Sequence, residues 1–353
     1  MVQLRDLPGG DTVKKLTALL LACLLLLSGC AGETDGTAAA FAPAEENRLV
    51  VYTSHKEEVY WPIIKEFEER TGIWVDVVSG GTNELLERIE REQDSPRADV
   101  MFGGGVESLE SRRELFTPYR CAEAEGLLAQ YRSPDDLWTP FSALPVVLIY
   151  NTKLVDAGAL IGWRDLLSPE FRGKIALADP AISGSSFTGL ATLAQALGGP
   201  WEDSLQALAY NLDGIQLDSS GAVLAAVAGG SALVGVTLEE TAMQRIAAGD
   251  SIALVYPAEG TSAVPDGGAL VKGAPHADNA RRFLDFTACA DVQRLLVDRF
   301  YRRSVRSDVA AAPALTPLDE LPMAGYDVAW ASSLHDAMLT AWAFHLGGEE
   351  GDA

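Results

Sequence analysis

The sequence predicts an α/β protein of two lobes joined by a hinge, with a cleft between them. Three observations lead there. Short apolar strands alternate with segments of helical period from Arg48 onward. Small or polar residues succeed strand after strand, and the strand series breaks off, starts afresh and then returns to its beginning. The 353 residues suffice for about two domains, and with 48% hydrophobic against 22% charged residues the composition is that of a folded chain, not a disordered one. Charge narrows the partners: 27 Lys and Arg against 50 Asp and Glu leave −23, which opposes any sequence-independent grip on nucleic-acid phosphates. No nucleic-acid partner is expected.

The N-terminus reads as an address. Lys14 and Lys15 precede an apolar run to Leu27, of signal-peptide length and too short to span a bilayer comfortably. Residues 1–29 are therefore read as a signal peptide and residues 30–47 as a small, polar tether. Lobe one opens at residue 48. Leu49–Tyr52 is a strand; Val59, Ile63 and Phe67 mark a helix closed at Thr71-Gly72, with Pro62 expected in its first turn. Ile73–Val78 is a second strand, Leu85, Leu86 and Ile89 mark a second helix, and Ala98–Phe102 is a third strand, a βαβαβ half-sheet with parallel strands.

Lobe one is assigned to residues 48–141 and lobe two to 142–263. Leu144–Tyr150 leads into lobe two, with later strands at Lys174–Ala178, Ile215–Leu217, Ala232–Val236 and Ile252–Tyr256, and a helix over Phe187–Leu197. Residues 264–353 return to lobe one, with helix over Asn279–Phe300 and a terminal helix over Val328–Leu346 packed on that lobe.

The residues at the strand ends point to a function. Ligands of open α/β sheets bind outside the carboxyl ends of strands, where helix starts present free N–H groups. Here those ends carry Thr53-Ser54-His55, Gly81-Thr82, Gly104, Ser183-Gly184-Ser185-Ser186, Asp218, Thr237, Glu239-Glu240 and Glu259, with Ser142 where lobe two begins. The plain alternative is that these are ordinary βα turns, that Ser183 to Ser186 merely cap a helix, and that the glutamates face water.

The motif Leu27-Ser28-Gly29-Cys30 resembles the lipobox of bacterial lipoproteins, which implies lipidation of Cys30 and an extracytoplasmic chain anchored to a membrane. Cys121 and Cys289 then remain as either a disulfide or two small buried hydrophobes. The stretch Val50 to Glu57, the turn Ser79 to Thr82, Ala98-Asp99-Val100, Asp179-Pro180 with Ser183 to Ser186, Tyr256 to Thr261 and Arg306-Ser307-Asp308 together resemble the two-lobed (class II) periplasmic-binding-protein fold of ABC importers, in the class with ferric-, phosphonate- and hexose-phosphate-binding proteins. The resemblance implies a monomeric solute-binding protein without cofactor that closes on a small ligand and delivers it to a membrane permease with its ATPase.

Ferric-binding members hold the metal with an adjacent tyrosine pair, often with a histidine that His55 matches. Here the corresponding stretch reads Val236-Thr237-Leu238-Glu239-Glu240-Thr241, without tyrosine. Two glutamates offer Fe(III) some hard oxygen donors, so ferric iron is the alternative ligand. Hydroxyls and helix-start N–H groups suit a phosphate or phosphonate better, with Asp218, Glu239 and Glu240 left to accept bonds from hydroxyls or an amine. His276, His335 and His345 read as surface residues. No nucleophile elbow, zinc-protease motif or phosphate loop is present. A hydrolase built from Ser185, His55 and Asp218 is the weaker alternative.

Overall fold

The computed structural model describes residues 43–214 and 216–347. The apolar N-terminal run and Cys30 lie outside them. Lobe one starts as expected: β1 (Arg48–Thr53), α1 (Glu57–Thr71), β2 (Trp74–Ser79), α2 (Thr82–Arg91) and β3 (Val100–Gly105), with β1 parallel to both β2 and β3. Helix α1 begins earlier than the apolar spacing suggests. Pro62 is its sixth residue and not in the first turn, so the N–H that would bond the Glu58 carbonyl is missing. Gly72 ends the helix at φ 70°, its N–H bonding the Glu68 carbonyl at 2.9 Å.

After α3 (Val106–Glu110) and β4 (Phe116–Thr117), the thirteen-residue strand β5 (Thr139–Asn151) runs through both lobes. Lobe two adds α4 (Trp163–Leu166), β6 (Ile175–Ala176), α5 (Gly184–Leu197), α6 (Trp201–Leu212), α7 (Ser220–Gly229), β7 (Val234–Leu238), α8 (Glu239–Ala247) and β8 (Ile252–Val255). Strand β9 (Ala263–Val271) returns the chain to lobe one, where α9 (Ala277–Ala288) and α10 (Ala290–Phe300) come next. The expected strand at Ile215–Leu217 reduces, among the described residues, to a single bridge from Leu217 to Ala178.

Strand order is β2-β1-β3-β9-β5-β7-β6, with β4 on β9 and β8 on β5. Up to Pro145, β5 pairs with β9; from Val146 onward it pairs with β7 and β8. The crossing is sealed by Val146 N–H donating to Ser262 O at 3.1 Å. The turn-like run Pro265-Asp266-Gly267-Gly268 is strand here, not loop. A Cβ on Gly268 would stand 2.7 Å from Leu284, so glycine lets α9 pack directly on β9.

The expected C-terminal helix is two helices, the first touching both lobes and the second docked on lobe two. Helix α11 (Val328–Ser333) packs on α3 of lobe one, whereas α12 (His335–His345) packs on α6 of lobe two. Ala331, Met338 and Trp342 are buried in the lobe-two core with Trp163 and Phe187, so apolar content rather than chain order decides where this segment docks. His335 is accordingly buried against Phe187, and His276 bonds the buried Asp99, rather than both facing water. Among the described residues Cys121 and Cys289 are free thiols, not bridged to each other. The Cys121 thiol is pushed up to about 12, chiefly by burial, which keeps it protonated and unreactive.

Candidate functional site

Between the lobes lies a cavity of about 490 Å³. Five helices point their N-termini at it: the N-cap residues Lys56 of α1, Gly81 of α2, Ser183 of α5, Ser219 of α7 and Leu238 of α8 all line its wall. Each helix start brings unpaired amide hydrogens and the positive end of a dipole. Serine hydroxyls add donors, the Ser183 and Ser185 oxygens standing 3.0 Å apart.

The floor is charged. Arg302, buried just past the end of α10, donates from Nη1 to Asp266 Oδ2 at 2.6 Å and to Ser142 Oγ at 2.8 Å. Its Nη2 lies 3.5 Å from Glu240 Oε1, while its Nε is buried with no partner among the described residues. Beside it His55 Nε2 is also buried and unpartnered, 3.6 Å from Asp266. Burial, reinforced by the Arg302 charge, holds His55 well below the ordinary imidazole value, so the ring is neutral and the contact with Asp266 is not an ion pair. Burial pushes the Asp266 carboxyl upward and Arg302 opposes that.

The lobes touch over this cavity. Asn83 of α2 donates from Nδ2 to the carbonyls of Pro180 at 3.2 Å and Ala181 at 3.1 Å. A Cβ on Gly81 would lie 2.7 Å from Ile182 O, and one on Gly184 would lie 2.7 Å from Thr82 Oγ1. Both glycines permit that approach.

Of the residues singled out in the sequence, Ser54, His55, Gly81, Thr82, Gly104, Ser183, Gly184, Ser185, Asp218 and Glu240 line the cavity. Six others lie behind or away from the wall. Thr53 Oγ1 donates to Phe102 O at 2.8 Å, Ser142 bonds Asp266, and Ser186 and Thr237 are buried off the cavity. Glu239 is held by Arg303 through two bonds of 2.7 Å and accepts one from the Tyr256 hydroxyl. Glu259 caps α4, accepting from Trp163 N at 2.9 Å and Arg164 N at 3.0 Å, which turns it out of the cleft. The hydrolase grouping is not assembled, since Ser185 meets Ser183 and His55 Nε2 meets no hydroxyl.

Sequence reasoning missed Arg302, Asp266 and Lys56. Arg302 sits in one of several Arg-Arg pairs, alongside Arg112-Arg113 and Arg281-Arg282, and nothing local distinguishes it. Asp266 was hidden in a turn-like run. Lys56 needed only the helix start moved to Glu57, since the cap of the first helix then falls in the loop already suspected.

A family model for bacterial extracellular solute-binding proteins matches residues 95–329. "Iron uptake protein A1" of Synechocystis sp. is 26% identical over 302 residues, covering 80% of this chain and 82% of that protein. A Salmonella typhimurium protein named "Putative 2-aminoethylphosphonate-binding periplasmic protein" is 28% identical over 276 residues, covering 72% and 74%. The structure of the periplasmic binding protein AfuA of Actinobacillus pleuropneumoniae with fructose-6-phosphate bound superposes with a TM-score of 0.79 at 24% identity, covering 85% of this chain and 98% of that one. With two lobes, a strand β5 that runs through both and a cavity between them, and with the family model matched across both lobes, the chain belongs to the bacterial extracellular solute-binding proteins.

Proposed function

We propose that this solute-binding protein captures a small phosphorylated or phosphonate solute by closing its lobes, and hands it to an ABC permease and its ATPase. One observation carries the reading: five helix N-termini open on one cavity, with the Arg302 side chain in its wall. Helix-start amides, serine hydroxyls and the cationic guanidinium meet in one wall, and a phosphate-sized group supplies acceptors in every direction. Glu240 and Asp218 in the same wall are suited to sugar hydroxyls or an ammonium group. The chain's net negative charge is no obstacle, because oriented local donors govern a closed cleft. Anchorage outside the cytoplasm through lipid on Cys30, and action as a monomer, complete the proposal. Ligand contacts on both lobes stabilise closure by their differential affinity for the closed state.

The competing cargo is ferric iron, which a relative's name suggests. Among the described residues no group of three or more His, Cys, Asp or Glu side chains is placed to hold a metal ion. Native mass spectrometry of protein purified without refolding, and then calorimetric titration with fructose 6-phosphate, 2-aminoethylphosphonate, inorganic phosphate and ferric citrate, tests the reading. Saturable binding of a phosphorus compound supports it. Binding of ferric citrate alone, or turnover of any compound, overturns it.

A further inference from the structure

Glu107 is the second residue of α3 in lobe one and is fully buried. Its partner is on the other lobe: Thr188 of α5, itself in the cavity wall, hydrogen-bonds the Glu107 carboxyl. Thr188 Oγ1 also lies 3.0 Å from the Gly184 carbonyl. A hydroxyl has one hydrogen and cannot donate to both acceptors at once. If Glu107 carries a proton, the conflict disappears: the carboxyl donates to Thr188, and Thr188 donates to Gly184. Among the described residues the other carboxyl oxygen has no partner, and neither does the buried Tyr326 hydroxyl. A Cβ on Gly105 would crowd that carboxyl, so the space exists only beside glycine.

We propose that Glu107 is a proton-sensitive latch: protonated, it donates to Thr188 and helps hold the lobes together, and ionised, it favours their separation. Among the described residues the surroundings supply no cation to offset an ionised Glu107. From α5 the carboxyl meets Thr188, which does not titrate, and the next titratable group along that face, His335 against Phe187, is kept neutral by burial. From the segment before α11 come Tyr326, held well above its ordinary value by burial and by Glu107 itself, and the acidic Asp327. Asp266 on β9, register partner of Gly105, is engaged by Arg302. Strand β3 carries no titratable side chain, and α2 turns Leu85, Leu86 and Ile89 toward α3 while its Glu and Arg residues stay outside that cluster. Beyond the mouth of α3, Arg112 is paired with Asp336.

Burial pushes the Glu107 carboxyl up to about 7, against an ordinary value of 4.5. When the lobes part, the carboxyl meets water and returns toward that ordinary value. Closure therefore takes up one proton between the two values. The contribution is complete in acid, is lost as pH rises toward 7, and is constant above. An ionised Glu107 would also place negative charge behind the helix start that faces an anionic ligand.

The test compares the wild type with Glu107→Gln, whose amide donates to Thr188 at any pH. Small-angle scattering of the ligand-free proteins from pH 5 to 8 is expected to show the wild type expanding across the lower half of that range and the variant unchanged. Titration with fructose 6-phosphate rests on the cleft reading above. There the wild type should lose up to roughly tenfold in affinity for each unit of rising pH below 7, relative to the variant, a ratio from which the ligand's own titration cancels. Parallel profiles in both measurements overturn the latch. Binding with parallel profiles would leave the cleft reading intact, whereas no phosphorus compound binding would remove that reading and leave the scattering to decide the latch. Should Glu107→Gln fail to fold, calorimetry of the wild type in two buffers at pH 6 decides: net proton uptake on binding supports the latch, and none or release overturns it.

Discussion

Arg302 and Arg303 are neighbours, both buried, and each reaches one of the adjacent glutamates that begin α8, yet they are in different chemical situations. Arg303 leaves no buried donor unpaired among the described residues: it grips Glu239 with two bonds of 2.7 Å and donates a third of 2.6 Å to Thr316 O. Tyr256 completes the carboxylate. Arg302 is unsaturated, its Nε bare and its contact to Glu240 stretched to 3.5 Å, and it stands in the cavity wall. The lesson is that charge and burial do not tell these two arginines apart. The unfilled donor does, because a buried donor left empty is costly unless something outside the protein fills it.

The sharpest way to break this contrast is to remove each guanidinium in turn. Arg303→Gln should cost about 3 to 5 kcal/mol of folding stability in urea denaturation, since it leaves Glu239 buried without its cation. Arg302→Gln should cost less, because Asp266 keeps both the backbone and hydroxyl bonds of Ser142, at 2.8 Å each, and burial already inclines it to bind a proton. The order reverses for ligand. Arg302→Gln should weaken binding of a phosphorylated solute by about 2 kcal/mol, roughly thirtyfold, through one lost charge-assisted bond. The ligand-induced rise in melting temperature should survive in Arg303→Gln and shrink in Arg302→Gln. An equal rise in both variants would dissolve the distinction.

The glutamates extend the comparison with a smaller expected effect. Glu240→Gln should change the ranking of sugar phosphates against aminophosphonates several-fold in competition titrations, because Glu240 lines the cavity. Glu239→Gln should leave the ranking alone and lower stability, because its carboxylate faces Arg303. A changed ranking in Glu239→Gln would show that this pair is not merely structural.

How much of this was legible in the sequence depends on the range of each interaction. The parallel β1-β2-β3 unit and the loops that end its strands are local patterns, so Ser54, His55, Gly81 and Thr82 could be placed on one edge without coordinates. The loop at Ser183 to Ser185 was legible for the same reason. Which of two adjacent glutamates faces the cleft was not, because it depends on Arg302 and Arg303, about sixty residues later, arriving from the other lobe. Nor was the route of the chain's end, since the burial of Met338 and Trp342 in lobe two depends on a groove that exists only after α6 and α5 have packed. Asp266 was obscured by its own neighbours: a Pro-Asp-Gly-Gly run has turn chemistry, and only the pairing of β9 with β3 and β5 forces it to be strand.

Ser185 and Ser186 give the finest test, since they differ by one position on one helix. Ser183 accepts the Ser186 backbone N–H at 3.4 Å, which fixes the first turn of α5 and turns the Ser186 side chain inward, 4% exposed, while Ser185 faces the cavity beside Ser183. A hydroxyl that bonds the ligand contributes about 1 kcal/mol, so Ser185→Ala should lower phosphate-ester affinity about fivefold with folding stability unchanged. Ser186→Ala should leave affinity within about twofold. Equal losses would mean that both hydroxyls act through the geometry of the α5 N-terminus and not by direct contact, and the anion site would then consist of backbone amides and Arg302 alone.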